Sequence, residues 1–263
     1  MWNSSITLSA ILFALAFTAV GLVIADEPKK APTPQPSPAS IATWNFDSDK
    51  PGEPAPGWRI AATHPGKSLA TWHVTKDAAA PSGPNVLTIK KTESTGGTFN
   101  LAIAEKSAFT NVDLSVKLRP NSGKEDQGGG LIWRCTDEYN YYICRMNPLE
   151  SNYRVYKVVN GKRTQLEGAT AKTTAGTWYT VRAVMIGDRI TCYLDGKKML
   201  EARDDTFKTG GMIGLWTKAD AASSFDDVTA HESSIKPSGS DDAKKDLKPS
   251  GKKKGGGDDD DDD

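Results

Sequence analysis

This sequence has no long amphipathic run and no cysteine framework. Outside the first 25 residues, no window keeps a 3.6-residue apolar period over three turns, which excludes a helix bundle and argues against crossover helices on a parallel sheet. Cysteine is scarce and odd in number: Cys135, Cys144 and Cys192. An odd set is not a dedicated disulfide scaffold. Cys135 and Cys144 flank an expected hairpin turn, so an oxidising compartment would permit them to pair; three buried small apolar side chains are the preferred reading. The three histidines, His64, His73 and His231, are far apart and show no metal-ligand spacing. Charge of one sign is not in excess either, with 33 basic against 33 acidic residues, and no basic face stands out, so nucleic acid is excluded as a partner class.

Both ends differ from the middle. Residues 1–25 read as an export signal: Ala10 to Ala25 is apolar, ends in Val23-Ile24-Ala25, and is followed by Asp26, Glu27 and Pro28. The basic n-region usual in such signals is absent from Met1 to Ser9. Cleavage would give a secreted, periplasmic or cell-envelope protein, whereas an uncleaved segment 6–25 is long enough to act as a membrane anchor. Residues 26–40 form an extended linker with proline at positions 32, 34, 36 and 38. Residues 233–263 hold seven Lys, nine Asp and no aromatic residue, ending in six consecutive Asp; this composition is expected to stay disordered. Residues 41–232 are left as one domain, large enough to bury a core without disulfides.

Within that domain the pattern is of short β segments cut by turn residues. Leu114 to Leu118 alternates cleanly and is expected to stop at Pro120. Gly129–Arg134 and Tyr141–Met146 bracket Asp137-Glu138-Tyr139-Asn140 as a hairpin. Tyr153–Val159 runs into Asn160-Gly161, and Arg189–Leu194 into Asp195-Gly196; both dipeptides tolerate the positive φ of tight hairpins. Gly176–Val184, Gly211–Trp216 and Ser223–Ala230 complete the set, and Asn45 to Ser68 is expected to wind around one edge. Many short strands at regular spacing predict an all-β sandwich or barrel.

Particular residues narrow this further. Gly176-Thr177-Trp178-Tyr179-Thr180-Val181-Arg182, followed by Ile190-Thr191-Cys192-Tyr193-Leu194-Asp195-Gly196-Lys197, resembles the central hairpin of concanavalin A-like and laminin-G-like jelly rolls. Ile213-Gly214-Leu215-Trp216 with Phe225-Asp226-Asp227-Val228 resembles the last two strands of the same superfamily, and Phe46-Asp47 with Pro56-Gly57-Trp58 its start. The resemblance is nearest to envelope domains of the 3-keto-disaccharide hydrolase-like and family-16-glycosidase-like kind. It implies a jelly-roll β-sandwich of two antiparallel sheets. It leaves activity open, because this fold hosts lectins, glycosidases, lyases and adhesion modules.

Three functions follow as expectations. Carbohydrate or glycan binding needs flat aromatic surface with planar hydrogen-bonding groups at its edge; Trp133, Arg134, Tyr142, Arg145, Trp216 and Lys218 would line such a groove if their strands share the concave face. Strand alternation sends about half of them into the core instead, and the parity is open. Trp178 is assigned to the core. A sugar hydrolase needs two facing carboxylates; the Glu-x-Asp-x-x-Glu strand of jelly-roll glucanases is absent, and Asp113, Asp137, Glu138 and Glu150 stand singly, so enzymatic activity is uncertain. A protein-interaction module with no sugar site is the third reading. The resemblance also implies a structural calcium ion held by Asp47 with Asp226 or Asp227, against the alternative that these are ordinary turn and edge aspartates.

Overall fold

The computed structural model describes residues 41–90 and 92–233; the export signal, the linker and all but the first residue of the charged tail lie outside them. Fifteen strands follow one another: β1 (Ile41–Trp44), β2 (Trp58–Thr63), β3 (Trp72–Lys76), β4 (Asn85–Ile89), β5 (Phe99–Phe109), β6 (Val112–Ser122), β7 (Gly129–Asp137), β8 (Asn140–Asn147), β9 (Asn152–Val159), β10 (Lys162–Thr170), β11 (Tyr179–Ile186), β12 (Arg189–Leu194), β13 (Lys197–Arg203), β14 (Gly211–Lys218) and β15 (Ala222–Glu232). Among the described residues there is no helix. One antiparallel sheet has the order β13-β12-β11-β6-β15-β4-β3, with β1 also paired to β15. The other runs β10-β9-β8-β7-β14-β5-β2. This is the expected jelly-roll β-sandwich of two antiparallel sheets.

Alternation builds the first sheet. Val112, Leu114, Val116 and Leu118 of β6 are buried while the residues between them are half-buried on the other face, and Val181, Ala183 and Met185 of β11 repeat the pattern. These rows meet Leu131, Trp133, Tyr142, Cys144 and Val155 of the second sheet in the core between the layers. β6 does not stop at Pro120. Pro120 lies within the strand, opposite Ser223, where the β15 ladder slips by one residue, and such an irregularity is where a strand tolerates a missing donor. The two hairpin dipeptides behave as expected: Asn160 and Gly161 have φ of 51° and 83°, Asp195 and Gly196 of 48° and 76°.

The middle of the second sheet is apolar on both faces. Leu101, Ile103, Ile132, Tyr141, Ile143, Tyr156, Val158 and Trp216 form a separate buried cluster on the side turned away from the core between the layers. Buried on both sides, β7 and β8 lose the polar-out signal that alternation normally provides. A bulge compounds this. Arg134 has a φ of 45°, and the β7–β8 register shifts between Trp133 and Asp137, so Trp133 packs into the inter-sheet core while Cys135, two residues on, joins the outer cluster. Cys144 is on the core side, which puts Cys135 and Cys144 on opposite faces; all three cysteines are free and buried. Trp178 is not in the core. It precedes β11, half-buried, with the Arg119 guanidinium 4.9 Å above its ring.

Candidate functional site

The six residues expected to line a groove separate into two groups. Trp133 and Tyr142 are fully buried and stack on each other across β7 and β8, with ring centroids 5.7 Å apart. Tyr142 reaches out of the core through its hydroxyl, which donates to Asp204 at 2.7 Å and accepts the Phe207 N–H at 3.3 Å. Arg134 is structural too: its guanidinium donates to the carbonyls of Thr110, Gly187 and Phe207, closing one end of the sandwich. Trp216 is on the outer face but fully buried, 5.4 Å from the ring of Phe99. Arg145 and Lys218 are the two that line a cavity. There is thus no exposed aromatic platform at this groove, because the apolar faces of these side chains are used to pack the doubly buried sheet.

The cavity, of about 500 Å³, opens over the outer face of β8, β9, β10 and the end of β14. Its base is set by register. Gly130, Arg145, Arg154 and Gly168 are successive cross-strand partners on β7, β8, β9 and β10, so two arginines stand side by side with a glycine at each end of the row. Gly130 is required there: a Cβ would come within 1.9 Å of the Cys144 carbonyl oxygen. On β10, Arg163 pairs with Val158 just beyond the Asn160-Gly161 turn, and it too lines the cavity.

Aromatic rings lie beneath the guanidinium groups. The Tyr156 ring has the carbon centre of Arg163 4.7 Å above it and that of Arg145 at 5.7 Å, and Arg163 also lies 5.1 Å from Phe99. Arg145, only 2% exposed in its side chain, donates to Asn152 Oδ1 at 3.1 Å, to Glu150 Oε2 at 3.0 Å and to the Tyr156 hydroxyl at 3.1 Å. Asn152 donates to the same Glu150 oxygen at 2.6 Å, and Arg154 lies 3.7 Å from it. Burial alone would raise Glu150, but the Arg145 charge, the Asn152 bond and Arg154 outweigh it and hold the carboxyl below its ordinary value. Two donors are left over: Nε of Arg145 and Nη1 of Arg163 are buried without a hydrogen-bond partner.

A second layer supports this constellation. Asp220 accepts the backbone N–H groups of Lys124, Glu125 and Asp126 at 2.7, 3.0 and 3.0 Å, which fixes the 124–126 loop beside the cavity. Glu125 lines the wall. Asp126 is 2% exposed, accepts from Asn147 at 3.1 Å through Oδ1 and has no partner for Oδ2. Its burial pushes the carboxyl up to about 6, although Arg145, Lys218 and Arg163 pull the other way. Asn147 also accepts the N–H groups of Leu149 and Glu150, which shapes the turn that presents Glu150. A neighbouring cavity of about 430 Å³ shares Glu150, Asn152 and Arg154 and continues along β9 and β10.

Sequence reasoning found Arg145 and Lys218 but missed Arg163, Arg154, Asn152, Glu125 and Asp126, and listed Glu150 only as an isolated carboxylate. One signal was available. Arg154, Tyr156 and Val158 alternate toward Asn160-Gly161, and a tight hairpin there brings Arg163 back opposite Val158.

The aspartates proposed for calcium are brought together at another corner. A bulge between Asp226 and Thr229, with Asp227 at a φ of 48°, turns both carboxylates toward Ser82, which donates its N–H to Asp226 at 3.3 Å and its hydroxyl to Asp227 at 2.5 Å. Asp47 accepts the N–H of Asn85 at 3.3 Å, and its carboxylate lies against Gly83, whose φ is 53°. Burial pushes Asp226 up to about 6, with Asp227 and Asp47 adding to the rise. Asn85, 4% exposed, spends its amide N–H on the carbonyls of Phe46, Asp47 and Asp49 and leaves Oδ1 without a partner. Every donor at this corner is a hard oxygen, the chemistry calcium prefers. Among the described residues, however, no three Asp, Glu, His or Cys side chains close on one point as a ready-made cage.

The chain is similar to known proteins over this same domain. It is 27% identical over 143 residues to the levanase of Bacillus subtilis (strain 168), a match covering 53% of this chain but only 20% of the levanase. The carbohydrate binding module CBM66 from Bacillus subtilis superimposes with a TM-score of 0.53 at 20% identity, over 67% of this chain and 96% of that one. Domain 4 of AbnA, an extracellular arabinanase from Geobacillus stearothermophilus solved with arabinotriose, gives 0.51 at 11% identity, over 76% and 95%. At these identities the two structures establish the jelly roll alone. The family model of the 3-keto-alpha-glucoside-1,2-lyase-like domain matches residues 59–230, from within β2 to within β15 and through every strand that builds the cavity, and the chain belongs to that family.

Proposed function

We propose that the protein binds a carbohydrate in the arginine-lined cavity on the outer face of the second sheet. The observation that carries this reading is the set of guanidinium groups packed over Tyr156 and Phe99 with two buried donors left unpaired. Planar forks with fixed donors suit the vicinal hydroxyl oxygens of a sugar, and an unpaired buried donor is costly until a ligand or water satisfies it. The shared wall of the two cavities leaves room for more than one sugar unit. The levanase and the arabinanase domain are by their names and ligand carbohydrate proteins, which supports the class but not the particular sugar.

Elimination or hydrolysis of a 3-keto sugar is the second reading. It is favoured by the family and by Glu125 and Glu150 lining one cavity. In an elimination a carboxylate would take the proton from C2, next to the ketone carbon, while a cation steadies the enolate oxygen and the C1 oxygen departs. Glu150 suits this poorly, because Arg145, Asn152 and Arg154 hold its carboxyl below its ordinary value, which makes it a weak base, and its Oε2 already accepts from Arg145 and Asn152. We therefore place binding first. Screening the full-length chain on a glycan array, with an assay for products from 3-keto disaccharides alongside, separates the readings. Selective binding without turnover supports the first and turnover the second. Neither outcome would leave an interaction module without a sugar site.

Two further parts of the proposal concern location and metal. Residues 1–25 direct export to the envelope or beyond, and the N-terminal mass of the mature protein tests whether they are removed. A calcium ion would be held by Asp47, Asp226 and Asp227 with the Oδ1 of Asn85, bracing the first and last strands where β1 pairs β15.

A further inference from the structure

We propose, building on the carbohydrate reading, that the ligand of this cavity is an anionic saccharide, one bearing a carboxylate or sulfate that docks on Arg163. The cavity wall carries Arg145, Arg154, Arg163 and Lys218 against Glu125 and Glu150. Its acidic groups are unevenly shared: Glu150 serves both Arg145 and Arg154, at 3.0 and 3.7 Å. Arg163 makes no side-chain hydrogen bond or ion pair among the described residues; the Tyr156 and Phe99 rings lie beneath it, Asp126 and Glu150 act on it only through space, and its Nη1 is buried and unmatched.

A neutral sugar would leave that imbalance in place. Desolvating a guanidinium without a counter-charge is expensive. Elsewhere in this chain arginines do find one: Arg119 with Asp77, Arg182 with Asp113, Arg189 with Glu201. Arg163 instead stacks on aromatic faces, which orient its edge while leaving the donors along it for a ligand. A carboxylate or sulfate matches such an edge with two parallel hydrogen bonds.

The test is a panel of neutral, uronate-bearing and sulfated glycans presented to the full-length chain at low and at high salt, with Arg163→Met, Arg163→Lys and, as a distant control, Arg189→Met on the first sheet. The inference predicts that hits concentrate in one or both charged arms, which also tells carboxylate from sulfate. Their binding should fall by about tenfold or more in Arg163→Met, be partly restored in Arg163→Lys, weaken with salt and be unaffected in Arg189→Met. A melting curve checks that each variant is folded. Hits confined to neutral glycans would overturn the anionic ligand and leave the carbohydrate reading standing. No hit in any arm would remove both.

Discussion

Arg163 and Arg145 share a ring but differ in what they hold up. Arg145 is pinned by Asn152, Glu150 and Tyr156, so replacing it with Met should cost stability as well as ligand, about 2–4 kcal/mol by denaturant unfolding, because Glu150 and Asn152 lose their partner. Arg163 makes none of these bonds and should tolerate Met with little change in stability while binding falls. Asp126 lends itself to a pH measurement. Its carboxyl ordinarily titrates near 3.8 and is pushed up to about 6 by burial, so between these values the folded protein binds more protons than the unfolded one. Stability from this group is therefore full below pH 4 and lost as pH rises through 6, by about 3 kcal/mol in total. Asp126→Asn should flatten that part of the curve. An unchanged slope would mean that Asp126 is not the group responsible.

At the scale of strands, β7 and β8 decide what the cavity is made of. Trp133, expected at the ligand, is a core residue, and Trp133→Ala should destabilise the fold by about 3–5 kcal/mol while leaving sugar affinity intact in the folded fraction. Gly130→Ala presses a methyl group on the Cys144 carbonyl and the Arg145 backbone, and should cost about 1–3 kcal/mol and disturb the arginine row. These two positions show what was legible. The sandwich, eight of its fifteen strands and the Asn160-Gly161 and Asp195-Gly196 turns could be read from spacing and turn chemistry, whereas the order of the strands within each sheet could not. Parity on β7 and β8 could not, since Leu131-Ile132-Trp133 and Tyr141-Tyr142-Ile143-Cys144 are apolar on both faces and the bulge at Arg134 reverses the alternation. The arginine row escaped for a different reason. Arg145, Arg154 and Arg163 lie on three strands and become neighbours only through register, which is a property of the folded sheet.

For the molecule as a whole, the two sheets divide the work. The first carries clean alternation on β6 and β11 and, at the β15 bulge beside β4, the oxygen-rich corner of Asp47, Asp226, Asp227 and Asn85; if calcium sits there, millimolar calcium should raise the melting temperature of the full-length chain and chelator lower it. Asp226→Asn with Asp227→Asn should abolish the difference, and a melting temperature indifferent to calcium would leave these residues as ordinary edge aspartates. The second sheet, buried on both sides at its middle, gives up an aromatic platform but gains a rigid base on which charged side chains are fixed. The most direct check of this division is a crystal structure of the full-length chain with a bound oligosaccharide from the glycan screen. The account predicts the sugar over β8, β9 and β10, in hydrogen-bond contact with Arg145 and Arg163 and with Trp133 untouched. A sugar seated on the first sheet or at the end of the sandwich, with the arginine cavity empty, would contradict it.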